Sequence, residues 1–103
     1  QLIEQLRQQQ EQNTGQGLPD NLFEDFLDRL GQLTPTERQI TSYYMKGLST
    51  GEILAALFIS ASTLKTHSSH IYAKLNVSSR DELLLYYKLI EKSGRLDVLS
   101  KRL

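Results

Sequence analysis

Three times in this 103-residue chain a hydroxyl residue stands three positions before a glutamate: Thr34 before Glu37, Ser49 before Glu52, and Ser79 before Glu82. That spacing is a capping box. The hydroxyl accepts from an orphan N–H of a helix's first turn, and the carboxylate reaches back to the cap residue's own N–H. Three helix starts are therefore marked by local chemistry, and Ser60 supplies a fourth as an N-cap without a glutamate partner. The ends are marked too, because Gly47, Asn76 and Gly94 tolerate the left-handed conformation just past a last turn. The punctuation predicts helices over 35–46, 50–57, 61–75 and 80–92, and no segment alternates like a strand, so the expected fold class is all-α. The joint between the second and third helices, LFIS, is so short that the two must cross steeply, which is the helix-turn-helix arrangement.

Upstream of this series, Leu22, Phe23, Phe26, Leu27 and Leu30 recur at helical spacing and Gly31 closes the run, giving a further helix with one apolar face. Glutamine fills seven of the first 17 positions, with Leu2, Ile3 and Leu6 as a short apolar stripe ahead of EQNTGQG. That pattern fits the frayed end of a helix followed by a linker. The first residue is Gln1, so the chain reads as a piece of a longer protein. The expected organisation is a helical linker or tail of an upstream region over 1–32, a compact domain over 33–94, and a C-terminal tail over 95–103.

Net charge is zero, but it is unevenly spread. Residues 1–30 hold six acids and two bases, a net −4, and residues 31–103 hold ten bases and six acids, a net +4. A mildly basic body permits a polyanion partner without demanding one. There is no cysteine, hence neither a disulfide framework nor a thiolate metal site. The longest apolar run, Ile53 to Ile59, is seven residues, against roughly 20 needed to span a bilayer. A cytoplasmic location is the expectation.

The segment 61–75, ASTLKTHSSHIYAKL, shows what such a partner would meet. With Leu64 at the centre of the buried side, Ile71 and Leu75 fall beside it and His67 and Ser68 on the margins. Ser62, Thr66, Ser69 and Ala73 fall opposite, with Lys65 and Tyr72 on one shoulder and Thr63, His70 and Lys74 on the other. Small hydroxyls and a few cations let a helix lie close in a groove about 12 Å wide, where they reach base edges and phosphates. The bland alternative is a solvated surface or a protein contact. His67 and His70 share a helix face but lack the third and fourth ligands of a zinc site. No nucleophile elbow, phosphate loop or carboxylate pair has recognisable context, so neither an enzyme, a cofactor nor a small-molecule ligand is expected.

The motifs LTPTERQI (33–40), GLSTGEI (47–53), LFIS (57–60), TLKTH (63–67), Ile71, KLNV (74–77) and RDEL (80–83) together resemble the LuxR/FixJ/GerE-type helix-turn-helix of bacterial transcription regulators. The resemblance covers roughly residues 33–92. It implies a four-helix domain whose third helix recognises double-stranded DNA, with the transcription machinery as a further partner, and whose fourth helix carries a homodimer contact. Carried over by position, Lys65, Thr66 and Ser69 would face bases, while Thr63 and Lys74 would lie near phosphates; Ser62, on the outward side, completes the expected DNA-binding set. Members of the family commonly place Lys or Arg where this chain has Ser62, Ser68, Ser69 and Ala73, which implies a weaker hold on phosphates. On the fourth helix, Leu83, Tyr87 and Ile90 share a core-facing side, while Leu85 and Leu89 lie together on the far side. These two form either a symmetric dimer seam or the seat on which the helix at 20–30 folds back. A sigma-factor promoter-reading region is a neighbouring reading. A degenerate helix-turn-helix serving as a dimerisation or protein-docking module is the reading from a different class.

Overall fold

The computed structural model describes residues 18–103, so the glutamine-rich stretch and its apolar stripe lie outside the described residues. Six helices follow in order: α1 (Asp20–Leu30), α2 (Pro35–Met45), α3 (Thr50–Leu57), α4 (Ala61–Leu75), α5 (Arg80–Lys92) and α6 (Leu96–Arg102). No strand occurs among the described residues.

The caps do what their spacing implies, with one variation. Thr34 Oγ1 accepts from the Glu37 N–H at 3.2 Å, and a Glu37 carboxylate oxygen accepts from the Thr34 N–H at 2.9 Å. The box of Ser49 and Glu52 repeats these two distances, 3.2 and 2.9 Å. At α5 only half the box forms: Ser79 Oγ accepts from the Glu82 N–H, but the Glu82 carboxylate turns instead to Ser78, taking its N–H at 3.2 Å and its hydroxyl at 2.6 Å. Ser60 Oγ caps α4 by accepting from the Thr63 N–H at 3.2 Å. Gly47, Asn76 and Gly94 all have positive φ, as their positions past helix ends require.

One left-handed residue was not anticipated. Phe58, in the turn between α3 and α4, has φ 55° and ψ 45° and is 94% exposed. A bulky side chain in that region is unusual. The sharp reversal into α4 dictates the backbone there, and the ring stays in solvent.

The core forms where α2, α4 and α5 meet, around the wholly buried Ile40, Ile53, Ile71, Leu83 and Ile90. Helix α3 packs on α4 alone among its larger contacts and buries only Ile53 completely. Helix α1 is part of the same cluster rather than an arm: Phe23, Phe26, Leu27 and Leu30 are all buried, and it packs against α4 and α6. Residues 95–103, expected as a tail, also fold back. Helix α6 buries Leu99 and packs on α1 and α5.

Candidate nucleic-acid interface

Helix α4 is held by its inner side. Leu64, Ile71 and Leu75 are buried hydrophobic anchors, and Ser68 joins them as a buried polar one, its hydroxyl 2.5 Å from the Tyr44 hydroxyl of α2. Ser68 is thus turned inward, so a cation at this position would have to displace that bond. The Arg80 guanidinium lies 4.4 Å over the Tyr44 ring and donates to the Leu48 carbonyl at 2.5 Å, tying the start of α5 to the approach of α3. Burial pushes the Tyr72 phenol above its ordinary value, keeping it neutral.

The outer side of α4 leaves Ser62, Thr63, Lys65, Thr66, Ser69, His70 and Ala73 exposed. Thr66 donates its hydroxyl to the Ser62 carbonyl at 3.1 Å, so outward it offers a methyl group and acceptor lone pairs. Ser60 donates to the Thr63 hydroxyl at 2.9 Å and sits 3.1 Å from that of Ser62, so the small polar residues of the first turn fix one another. Lys65 has no salt-bridge partner among the described residues. It borders an open groove of about 360 Å³ that Tyr44, Thr50, Ser69 and Tyr72 also line.

Lys74 has a partner that the sequence did not indicate. Its ammonium donates to the Glu37 carboxylate at 2.7 Å, and Glu37 is 3% exposed. The same carboxylate faces His70 Nδ1 at 3.8 Å. Burial would raise the Glu37 carboxyl, but the bond from Lys74 and those within the cap of Thr34 outweigh it, and the net shift is downward. One glutamate therefore caps α2 and anchors the far end of α4. In the folded chain the Lys74 charge is paired with Glu37, a contact that sequence reasoning missed because its partner lies 37 residues away.

The outer positions on α5 are likewise occupied. Leu89 is 3% exposed, its carbonyl accepts from the Leu18 N–H at 3.3 Å, and Leu85 is half-buried against the core. Residues 18–30 fold back toward α5, with the Phe26 ring stacked on that of Tyr86 at 4.9 Å. No group of three or more His, Cys, Asp or Glu among the described residues is placed to hold a metal.

Comparison with known proteins agrees with this architecture. The family model described as bacterial regulatory proteins, luxR family, matches residues 31–87. A putative HTH-type transcriptional regulator of Mycobacterium bovis is 46% identical over 54 residues, 52% of this chain and 6% of the relative. The uncharacterized transcriptional regulatory protein YhcZ of Bacillus subtilis is 46% identical over 65 residues, 63% of this chain and 30% of the relative. The oxygen regulatory protein NreC of Staphylococcus carnosus is 32% identical over 77 residues, 64% of this chain and 36% of the relative. The chain thus spans no more than 36% of the length of any of these three relatives. No solved structure matches the chain.

Proposed function

The chain belongs to the LuxR family of bacterial regulatory proteins, and on that premise we propose that it is the sequence-specific DNA-binding output domain of a bacterial transcription regulator. Helix α4 enters the major groove of double-stranded DNA, and two copies act together. The observation that carries the reading is the outer side of α4. Ser62, Thr66 and Ser69 present short polar side chains beside the exposed Lys65, and residues 61–75 contain no acid that would repel phosphates.

In this reading α3 lies across the DNA backbone while Lys65, Thr66 and Ser69 reach base edges and Thr63 lies near a phosphate. Lys74 positions α4 through Glu37 rather than touching DNA. The cationic count is low, so one copy binds weakly. Two copies on half-sites roughly 34 Å apart combine their affinities through effective concentration, with the half-buried Leu85 of α5 at the proposed seam and Leu89, 3% exposed, packed behind it in the core.

Fluorescence anisotropy with random duplex DNA over a salt series tests this. The expectation is binding that weakens steeply with salt, with a slope shallower by about one in Lys65→Ala. In Lys74→Ala the slope should stay near that of the unaltered chain while stability falls. If two artificially linked copies bind no DNA even at low salt, the docking-module reading replaces this one.

A further inference from the structure

Along one flank of α4, Ala61, Leu64, Lys65, Ser68, Ser69 and Tyr72 recur at i, i+3, i+4, i+7, i+8 and i+11, a single stripe of the helix. Tyr44 of α2 and Thr50 at the start of α3 close the other side, and the groove between them holds about 360 Å³. Its floor is part apolar, where Leu64 is 4% exposed, and part hydroxylic, where the buried Tyr44 and Ser68 are bonded at 2.5 Å. Lys65 and Ser69 stand exposed at its rim, and the half-buried Tyr72 lies beside the Tyr44 and Ser68 hydroxyls.

Charge and shape restrict what can lie there. No acid lines the groove, and the carboxylate of Glu52, the one acid of α3, is turned to the Ser49 N–H at 2.9 Å. Lys65 brings a cation without a salt bridge among the described residues, and the Arg80 guanidinium lies 4.4 Å over the Tyr44 ring. Tyr72, held neutral by burial, keeps its phenol proton, and Thr50 and Ser69 add hydroxyls, so the groove also offers donors that carry no charge. An occupant must therefore join an anionic, acceptor-rich part to an apolar one. The groove is open, so that occupant can be one unit of a continuing chain. Deoxyribose and its phosphate have both parts, and Ser69 joins the groove to the side of α4 that carries Ser62 and Thr66.

We propose that this groove seats one sugar–phosphate unit of a DNA strand, the sugar against Ala61 and Leu64 and the phosphate taken by Lys65 and the hydroxyls of Tyr72 and Thr50. The inference rests on the DNA-binding reading above and adds a part of the grip that carries no charge. A hydroxyl bonded to a phosphate strengthens binding without displacing a counterion, so this part of the affinity does not fade with salt. It offsets the small number of cations on α4.

The test is anisotropy of the full chain with random duplex DNA over a salt series, for the unaltered chain, Tyr72→Phe, Thr50→Glu and Lys65→Ala, each checked for unchanged folding by thermal unfolding. Tyr72→Phe keeps the ring and removes one hydroxyl. It should weaken binding by about tenfold at every salt concentration, with a plot of log affinity against log salt parallel to that of the unaltered chain. Thr50→Glu sets a carboxylate in the first turn of α3, where the helix dipole favours it, and should weaken binding at least as much by facing the phosphate. If Tyr72→Phe binds like the unaltered chain, or loses slope as Lys65→Ala does, the seat is overturned while the DNA-binding reading stands. If Tyr72→Phe weakens binding but Thr50→Glu does not, Tyr72 acts only through the packing of α4, and the seat is again overturned. Displacement of the duplex by micromolar deoxyribose phosphate would make the groove a site for free sugar phosphates and overturn it too. If the unaltered chain binds no DNA, even as two linked copies, the DNA-binding reading fails and takes the inference with it.

Discussion

At the scale of single residues, Glu37 does the most. It completes the capping box of Thr34, accepts from Lys74 and faces His70, all while 3% exposed. Replacing it with alanine should cost about 2 kcal/mol, the order of losing a buried, charge-assisted hydrogen bond; urea unfolding at neutral pH measures this. The pH dependence follows from the direction of its shift. A folded-state carboxyl held below its ordinary 4.5 contributes stability that is complete above that value and lost as pH falls through the lower, folded one. The unaltered chain should therefore lose stability below about pH 4.5, more steeply than Glu37→Gln, whose amide does not titrate. An equal acid dependence in the two would show that Glu37 is not the group responsible.

At the scale of elements, helix starts and ends were legible because they are written in contacts of three or four residues. Ser49 with Glu52 and the left-handed Asn76 needed nothing from elsewhere in the chain. What escaped depends on distant partners or on tertiary demand. The pairing of Lys74 with Glu37, the bond of Ser68 to Tyr44 and the entry of Leu99 into the core each depend on residues far along the chain. Glu82 chose Ser78 over the Ser79 backbone, a competition between neighbours that spacing does not decide. Phe58 offers no signal at all for its left-handed backbone. Helix α3, which carries the turn, contains one correctable weakness. A Cβ on Gly51 would meet nothing within 4 Å, and the position lies inside the helix. Gly51→Ala should stabilise the protein by roughly 0.5–1 kcal/mol, by limiting the unfolded chain and favouring the helix. Thermal unfolding should show a rise of a few degrees, and a fall would contradict the open surroundings of Gly51.

At the scale of the molecule, charge and architecture divide along the same line. Residues 1–30 are acidic and residues 31–103 basic, and α1, from the acidic part, packs on the basic body, its Phe26 ring stacked on Tyr86 of α5. Helix α4 thus lies between an inner side locked by Tyr44, Glu37 and the apolar core and an outer side with Lys65 as its one cation lacking a salt bridge among the described residues. The most direct measurement is chemical-shift mapping of the backbone amides while a duplex carrying the recognised sequence, or random duplex at low salt, is added. The account predicts that the largest changes fall on Ser60 to His70 and the start of α3, with α6 nearly silent. Changes concentrated on α5 or α6 instead, with residues 60–70 unmoved, would contradict it.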